Sequence, residues 1–342
     1  MCLTISTVLT HQHHGIHHVQ RFSPDNDVSG NSGIAREDVE PPQSTTIAPE
    51  QKQPTHIDYQ LVLLVPGFPT AYLKLQEHRI CWLIPALCHA CSTMQEQVDR
   101  LVEKTWEKFQ HVSRSQRLMV GVSGIPGSGK TTLAAKVSYG LNKKHAQTSP
   151  GTYNGNPVAA FIPMDGYHLS RAQLDAMPDP QTAHARRGAA FTFDAEKFLA
   201  LVKKLREPIL PETRTLYAPS FDHAKKDPVA DDIPIAPSVR IVIFEGNYCS
   251  LNHGPWKEAA DLMDELWFVD VDFQVARQRL IHRHVKAGIA RNEEEAAKRA
   301  DENDLVNGQE ILSSRQEVHE VVKSKEDPEW APEQQGVGDG RD

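Results

Sequence analysis

The stretch Gly124-Ile-Pro-Gly-Ser-Gly-Lys130-Thr131 constrains this chain more than any other. It fits G-x-x-x-x-G-K-[ST], the Walker A or P-loop pattern. It lies between the apolar run Leu118-Met-Val-Gly-Val122 and a helix-like run from Thr132 to about Asn142. A polyphosphate is held by a concave surface of backbone N–H groups, and glycine lets the backbone turn sharply and approach closely. A helix N-terminus behind the loop adds unsatisfied N–H groups and the positive end of a dipole. The nucleotide-binding set is therefore Gly124, Ile125, Pro126, Gly127, Ser128, Gly129, Lys130, Thr131 and Thr132. Lys130 is placed to reach the β- and γ-phosphates, and the Thr131 hydroxyl to bind Mg2+.

Three more apolar runs follow, at residues 157–162, 238–244 and 266–271. Helical spacing of Val98, Leu101, Val102, Thr105, Trp106, Phe109 and Val112 predicts an amphipathic helix on the domain's flank. Asp194 reads as the N-cap of a helix through Arg206, and two further helices are predicted over 274–286 and 293–305. Buried strands alternating with helices predict a P-loop NTPase-type α/β fold, its parallel sheet covered on both faces. Ligands then bind at the C-terminal ends of the strands.

Residues 1–93 read differently. They hold the His-rich patch His11-Gln-His-His-Gly-Ile-His-His18, a Ser/Asn/Asp/Gly-rich stretch and several prolines, a composition that cannot bury enough apolar surface to offset chain entropy. They are expected to be poorly ordered, with a domain over 94–323 and a flexible tail over 324–342. Cys88-His-Ala-Cys91 has C-x-x-C spacing, but no second pair sits at a distance suited to zinc. Periodic structure begins at Met94, which is therefore a candidate start of the functional polypeptide. Five scattered cysteines predict a reducing compartment and hence the cytoplasm. A net charge of −8 argues against a nucleic-acid partner, and no run is long enough for a membrane span. A homodimer is left open.

Polar residues gather just after the apolar runs. Asp165 follows the second; beside a P-loop it suits either a base that takes a hydroxyl proton or a Mg2+-site carboxylate, where elsewhere it would read as a turn cap. Glu245 follows the third run, in the place of a Walker-B acid that serves Mg2+. Arg277, Arg279, Arg283, His284, Arg291 and Arg299 cluster on the last two predicted helices. Converging guanidiniums there suit a phosphate-facing lid, with Arg283 the leading member; the alternative is a solvated face paired with Glu293, Glu294 and Glu295.

Together with the P-loop, Met164-Asp-Gly-Tyr-His168, Arg186-Arg-Gly188, Phe193-Asp194, Pro219-Ser-Phe-Asp-His223, Phe244-Glu-Gly-Asn-Tyr248 and Glu302-Asn-Asp-Leu-Val-Asn-Gly308 resemble the uridine kinase/phosphoribulokinase/pantothenate kinase superfamily. The resemblance is strongest to fungal ATP-dependent kinases and bacterial nucleoside/nucleotide-kinase-like proteins, and it spans about residues 94–320. It implies a P-loop kinase fold with an Arg-rich helical lid, and ATP- and Mg2+-dependent phosphorylation of a small-molecule hydroxyl. By that carry-over Asp165 is the base, Lys130 and Arg283 are catalytic, and Thr131, Glu245 and Asp165 serve the metal. Tyr167, His168, Arg187, Tyr217, Phe221, His223 and Tyr248 fall at acceptor-binding positions, although Gly-Tyr-His and Pro-Ser-Phe-Asp-His depart from the uridine kinase segments. The competing reading is a regulatory ATP-binding protein without metabolite turnover.

Overall fold

The computed structural model describes residues 59–63, 71–75, 93–148 and 155–326. The His-rich patch, the C-x-x-C pair and the tail beyond residue 326 lie outside the described residues. The chain divides into two units, Met1–Cys91 and Ser92–Asp342. In the first, strand β1 (Tyr59–Leu63) pairs antiparallel with β2 (Ala71–Leu75), with Leu61 opposite Leu73.

The second unit carries β3 (Leu118–Gly124), β4 (Ala159–Pro163), a hairpin of β5 (Leu216–Asp222) and β6 (Asp227–Ile235), then β7 (Ile241–Glu245), β8 (Glu265–Asp270) and β9 (Glu320–Lys323). Five of these form one parallel sheet in the order β4-β7-β3-β8-β9. Its helices are α1 (Met94–Gln110), α2 (Lys130–Thr148), α3 (Arg171–Asp175), α4 (Pro180–Ala185), α5 (Ala195–Arg206), α6 (Gly254–Asp261), α7 (Phe273–Lys286), α8 (Glu293–Arg299) and α9 (Leu305–Ser314).

Side chains alternate across a strand, so a strand buried on both faces must be apolar throughout. Leu118, Val120 and Val122 of β3, Ile241 and Ile243 of β7, and Trp267 and Val269 of β8 join α1 and α2 in one core. The intervening Met119, Val242, Phe244, Leu266 and Phe268 join α5 and α6 on the other face. The predicted sheet with helices on both sides is the observed one. Thr93 starts α1 by accepting from Glu96 N while Glu96 returns the bond to Thr93 N, a reciprocal cap that satisfies two otherwise orphaned donors. Asp194 caps α5 through Lys197 N at 2.9 Å.

The helix predicted to stop near Leu305 does not stop. From α8 it passes through a π turn, Ala300–Asp304, straight into α9. The P-loop helix likewise runs on to Thr148, where the pattern ended near Asn142. Asn142 instead docks the helix on β4, its Oδ1 accepting from Val158 N and Ala159 N at 2.9 Å. Ser324, the first residue of the tail read as flexible, donates its N–H to Asp270 O at 2.8 Å.

Candidate active site

The P-loop leaves β3 at the centre of the sheet and enters α2 at Lys130. Gly127 sits at φ 81°, and a Cβ there would meet Ala276 O at 2.8 Å, so backbone conformation and packing both demand glycine. Lys130 is only 9% exposed. Burial depresses its ammonium pKa, with Arg283 adding to that depression, while the Glu245 and Asp165 carboxylates oppose it.

Glu245 ends β7, the neighbour of β3, and is 5% exposed. Burial pushes its carboxyl up to about 7; nearby Asp165 adds to the rise, while Lys130, the Thr131 hydroxyl and Arg283 hold it down. Thr131 Oγ1 donates to Glu245 Oε1 at 3.0 Å. Asp165 follows β4 on a 3-10 turn, Met164–Tyr167, with its side chain 53% exposed. Three neighbouring strands thus deliver Lys130 with Thr131, Glu245 and Asp165 to one edge of the sheet, within one another's electrostatic reach.

Gly166 lets that turn press against β5. A Cβ at this position would lie 2.1 Å from Pro219 O. The contact brings Phe221 of β5 to His168, with ring centroids 5.0 Å apart, and Phe193 covers the imidazole at 4.0 Å. His168 Nδ1 lies 2.9 Å from the Asp165 carbonyl oxygen, which can only accept, so Nδ1 carries the proton. Burial lowers the His168 pKa, leaving the ring neutral with its Nε2 lone pair available. Arg187 lies over Phe221 at 5.5 Å, and His223 stands edge-on to the same ring at 5.2 Å.

Of the seven residues expected to bind an acceptor, His168, Arg187, Phe221 and His223 come together. Tyr167 and Tyr248 turn into the core. Tyr167 meets Phe198 edge-on at 5.2 Å, and the Tyr248 hydroxyl donates to Gly188 O at 2.8 Å. Tyr217 is 50% exposed and outside the aromatic cluster.

The arginines of the expected lid also divide. Arg283 is exposed, has no ion-pair partner among the described residues, and acts electrostatically on Lys130 and Glu245. Arg279, one turn away, does not face the phosphate end: its guanidinium donates to Gly127 O at 3.2 Å, Ser324 Oγ at 2.8 Å and Lys325 O at 3.2 Å. It props the P-loop from behind. Arg277 pairs with Asp301 and Arg291 with Glu295 on the surface, while buried His284 bonds Asp304 Oδ2 at 2.8 Å.

Sequence patterns assigned no role to three residues that fix the segments around the His168–Phe221 cluster. Asn303 and Asn307 of the π turn and α9 accept from Arg186 Nε at 3.0 Å and Nη2 at 2.7 Å, and Asn303 Nδ2 donates to Arg187 O at 3.0 Å. Asp227, at the start of β6, accepts from Arg171 N at 2.8 Å. The Asn-x-x-x-Asn spacing within Glu302–Gly308 was the available signal for the first two; Asp227 had none.

A phosphate loop on a central parallel strand, an acidic residue on the adjacent strand end and a carboxylate beside an aromatic cluster define a P-loop kinase. The comparisons agree. The Phosphoribulokinase / Uridine kinase family profile matches residues 119–291, and the chain belongs to that family. It is 55% identical over 159 residues to an ATP-dependent kinase-like protein of Aspergillus versicolor, covering 46% of this chain and 92% of the relative. It is 43% identical over 209 residues to a Schizosaccharomyces pombe protein provisionally named a uridine kinase, covering 61% and 83%. Among solved structures, a Silicibacter protein provisionally described as a fructose transport system kinase superposes with a TM-score of 0.55 at 28% identity, over 66% of this chain and 98% of that one. No helix among the described residues is long and apolar enough to cross a membrane.

Proposed function

We propose that this kinase transfers the γ-phosphoryl group of ATP, with Mg2+, to a hydroxyl group of a small molecule. One observation carries the reading: Thr131 is bonded to Glu245, beside buried Lys130, with a half-exposed Asp165 in the same field.

The donors fit a hard cation. They are all oxygens, and among the described residues no group of three His, Cys, Asp or Glu forms a complete cage. Magnesium suits such a site, because it keeps waters and takes one or two carboxylates plus substrate phosphates. A carboxyl that burial lifts to about 7 is also one that a cation would return to its charged form. Thr131 and Glu245 would hold the ion, with Asp165 at its margin. When bound, it neutralises charge on the β- and γ-oxygens.

The chain's own residues do the rest. The P-loop amides and Lys130 orient the polyphosphate, and Lys130 and Arg283 lie where charge develops on the transferred group. Asp165 accepts the proton of the acceptor hydroxyl at its carboxylate oxygen, as the O–P bond forms and the bond to the leaving ADP oxygen breaks. His168 offers Nε2 as an acceptor that aligns the substrate, and Phe193 and Phe221 hold the imidazole in place. The test is mass-spectrometric detection of a phosphorylated alcohol, formed with ATP and Mg2+ by the full chain and lost on Asp165→Asn. ATP hydrolysis indifferent to every alcohol would favour a regulatory nucleotide-binding role instead.

A further inference from the structure

The cations of this site fall into two groups. Lys130 and Arg283 belong to the phosphate end, sharing a field with Glu245 and Asp165. Arg187 and Arg299 belong to the acceptor end. Arg187 lies over Phe221, and its charge acts on His168. Arg299, at the end of α8, donates to Arg187 O at 3.5 Å. Their counter-charge is thin. The one carboxylate within ion-pair distance of either, among the described residues, is Asp227, 3.4 Å from Arg187 Nη2. Asp227 is already engaged by Arg171, whose backbone N and Nε donate to it at 2.8 and 3.2 Å. Arg299 has no carboxylate partner among the described residues. The Nε atoms of both Arg187 and Arg299 are buried with no hydrogen-bond acceptor. The adjacent Arg186 does not share this deficit, because it turns away to Asn303 and Asn307.

Two half-buried guanidiniums, one facing a carboxylate that Arg171 already engages and the other facing none among the described residues, are an unfavourable arrangement in the empty protein; burial depresses the Arg187 pKa and the Arg299 charge adds to it. Guanidinium pairs of this kind match a carboxylate or phosphate ester, whose oxygens can take two parallel N–H bonds. We propose that the acceptor is an anionic alcohol, with a carboxylate or phosphate group held by Arg187 and Arg299 while its hydroxyl faces Asp165. The proposal rests on the kinase reading above and adds the charge of the substrate to it. Phe221 then serves as the floor under Arg187, and His168 as the neutral group between the anion and the reacting oxygen.

The test compares matched pairs on the full chain: glycerol against glycerate and glycerol 3-phosphate, ribose against ribose 5-phosphate, and uridine against uridine monophosphate. Two readouts are taken, phosphorylated product with ATP and Mg2+, and thermal stabilisation by each compound without ATP. The expected result is preference for the anionic member of a pair by at least tenfold in kcat/KM. Arg299→Gln should raise the KM for that compound about tenfold or more while the KM for ATP changes less than twofold. Arg187→Lys, which keeps the charge but loses the fork, should give a smaller loss of the same kind. Carboxylate and phosphate members tell the two anions apart. A neutral member used as well as its anionic partner, with Arg299→Gln without effect, overturns the proposal and leaves the kinase reading standing. Anion-dependent stabilisation abolished by Arg299→Gln, without turnover of any compound, keeps the anion site and overturns the kinase reading. Absence of stabilisation and turnover by every anionic member overturns the proposal.

Discussion

Thr131 Oγ1 lies 3.0 Å from Glu245 Oε1, and this bond joins the first turn of the P-loop helix to the end of the neighbouring strand. It gives a buried carboxyl a neutral donor, next to a buried lysine. The Lys130 charge offsets only part of the hydration that burial takes from the carboxyl.

Glu245 therefore makes the ligand-free protein sensitive to pH in a defined direction. Its carboxyl stands near 7 in the folded chain against 4.5 as an ordinary glutamate. The folded state binds the extra proton between those values, so its contribution is most favourable below about pH 4.5 and is lost as pH rises through 7. Glu245→Gln lacks this titration. The stability of the variant relative to wild type should rise across pH 4.5–7.5 by up to about 3 kcal/mol, measured by urea unfolding without nucleotide. Parallel profiles for the two proteins would contradict the assignment. Activity of the variant should fall about 10–100-fold and be partly recovered by excess Mg2+.

Arg279 and Arg283 sit one turn apart and should fail in different ways. Arg279→Ala removes three bonds behind the P-loop, so it should cost about 1–3 kcal/mol of stability and raise the KM for ATP. Arg283→Ala should leave stability within about 0.5 kcal/mol while lowering kcat about 10^3-fold. Thermal melts beside steady-state kinetics separate the two; equal loss of stability in both would show that Arg283 is structural.

Gly166→Ala tests the contact that assembles the His168–Phe221 cluster. The added methyl would meet Pro219 O at 2.1 Å, a backbone atom that cannot swing aside. The variant should lose at least about 2 kcal/mol of stability, and in the folded fraction the KM for the acceptor should rise more than that for ATP. A variant as stable as wild type would mean that the turn does not rest on β5.

Local signals carried most of this fold. The P-loop and the strands around it are legible because a strand buried on both faces leaves an unbroken apolar run, and the phosphate loop needs glycines at fixed spacing. The hairpin β5–β6 escaped because Pro219, Pro228 and Pro234 lie within it, and proline in a run argues against a strand. A two-stranded ladder consists of edges, which tolerate proline. β9 escaped because four residues carry too little pattern. It is held by β8 and by Gln97 of α1, which exchanges bonds with Lys323 at 3.0 and 3.1 Å across the fold. Spacing put Arg279 and Arg283 on one helix face but could not say that one would meet a loop carbonyl and the other solvent. Tyr167 beside His168 was ambiguous for the same reason, since the turn sends one ring into the core and the other to the site.

The most direct measurement is acceptor-dependent ATP consumption by the full chain with Mg2+, wild type beside Asp165→Asn. Asp165 is half exposed, so the substitution should leave stability within about 0.5 kcal/mol and ATP binding intact. The expected result is that one class of alcohol stimulates turnover and yields a phosphorylated product, and that Asp165→Asn lowers kcat about 10^2–10^4-fold with little change in the KM for ATP. Turnover that no alcohol stimulates, and that persists in Asp165→Asn, would contradict the kinase reading.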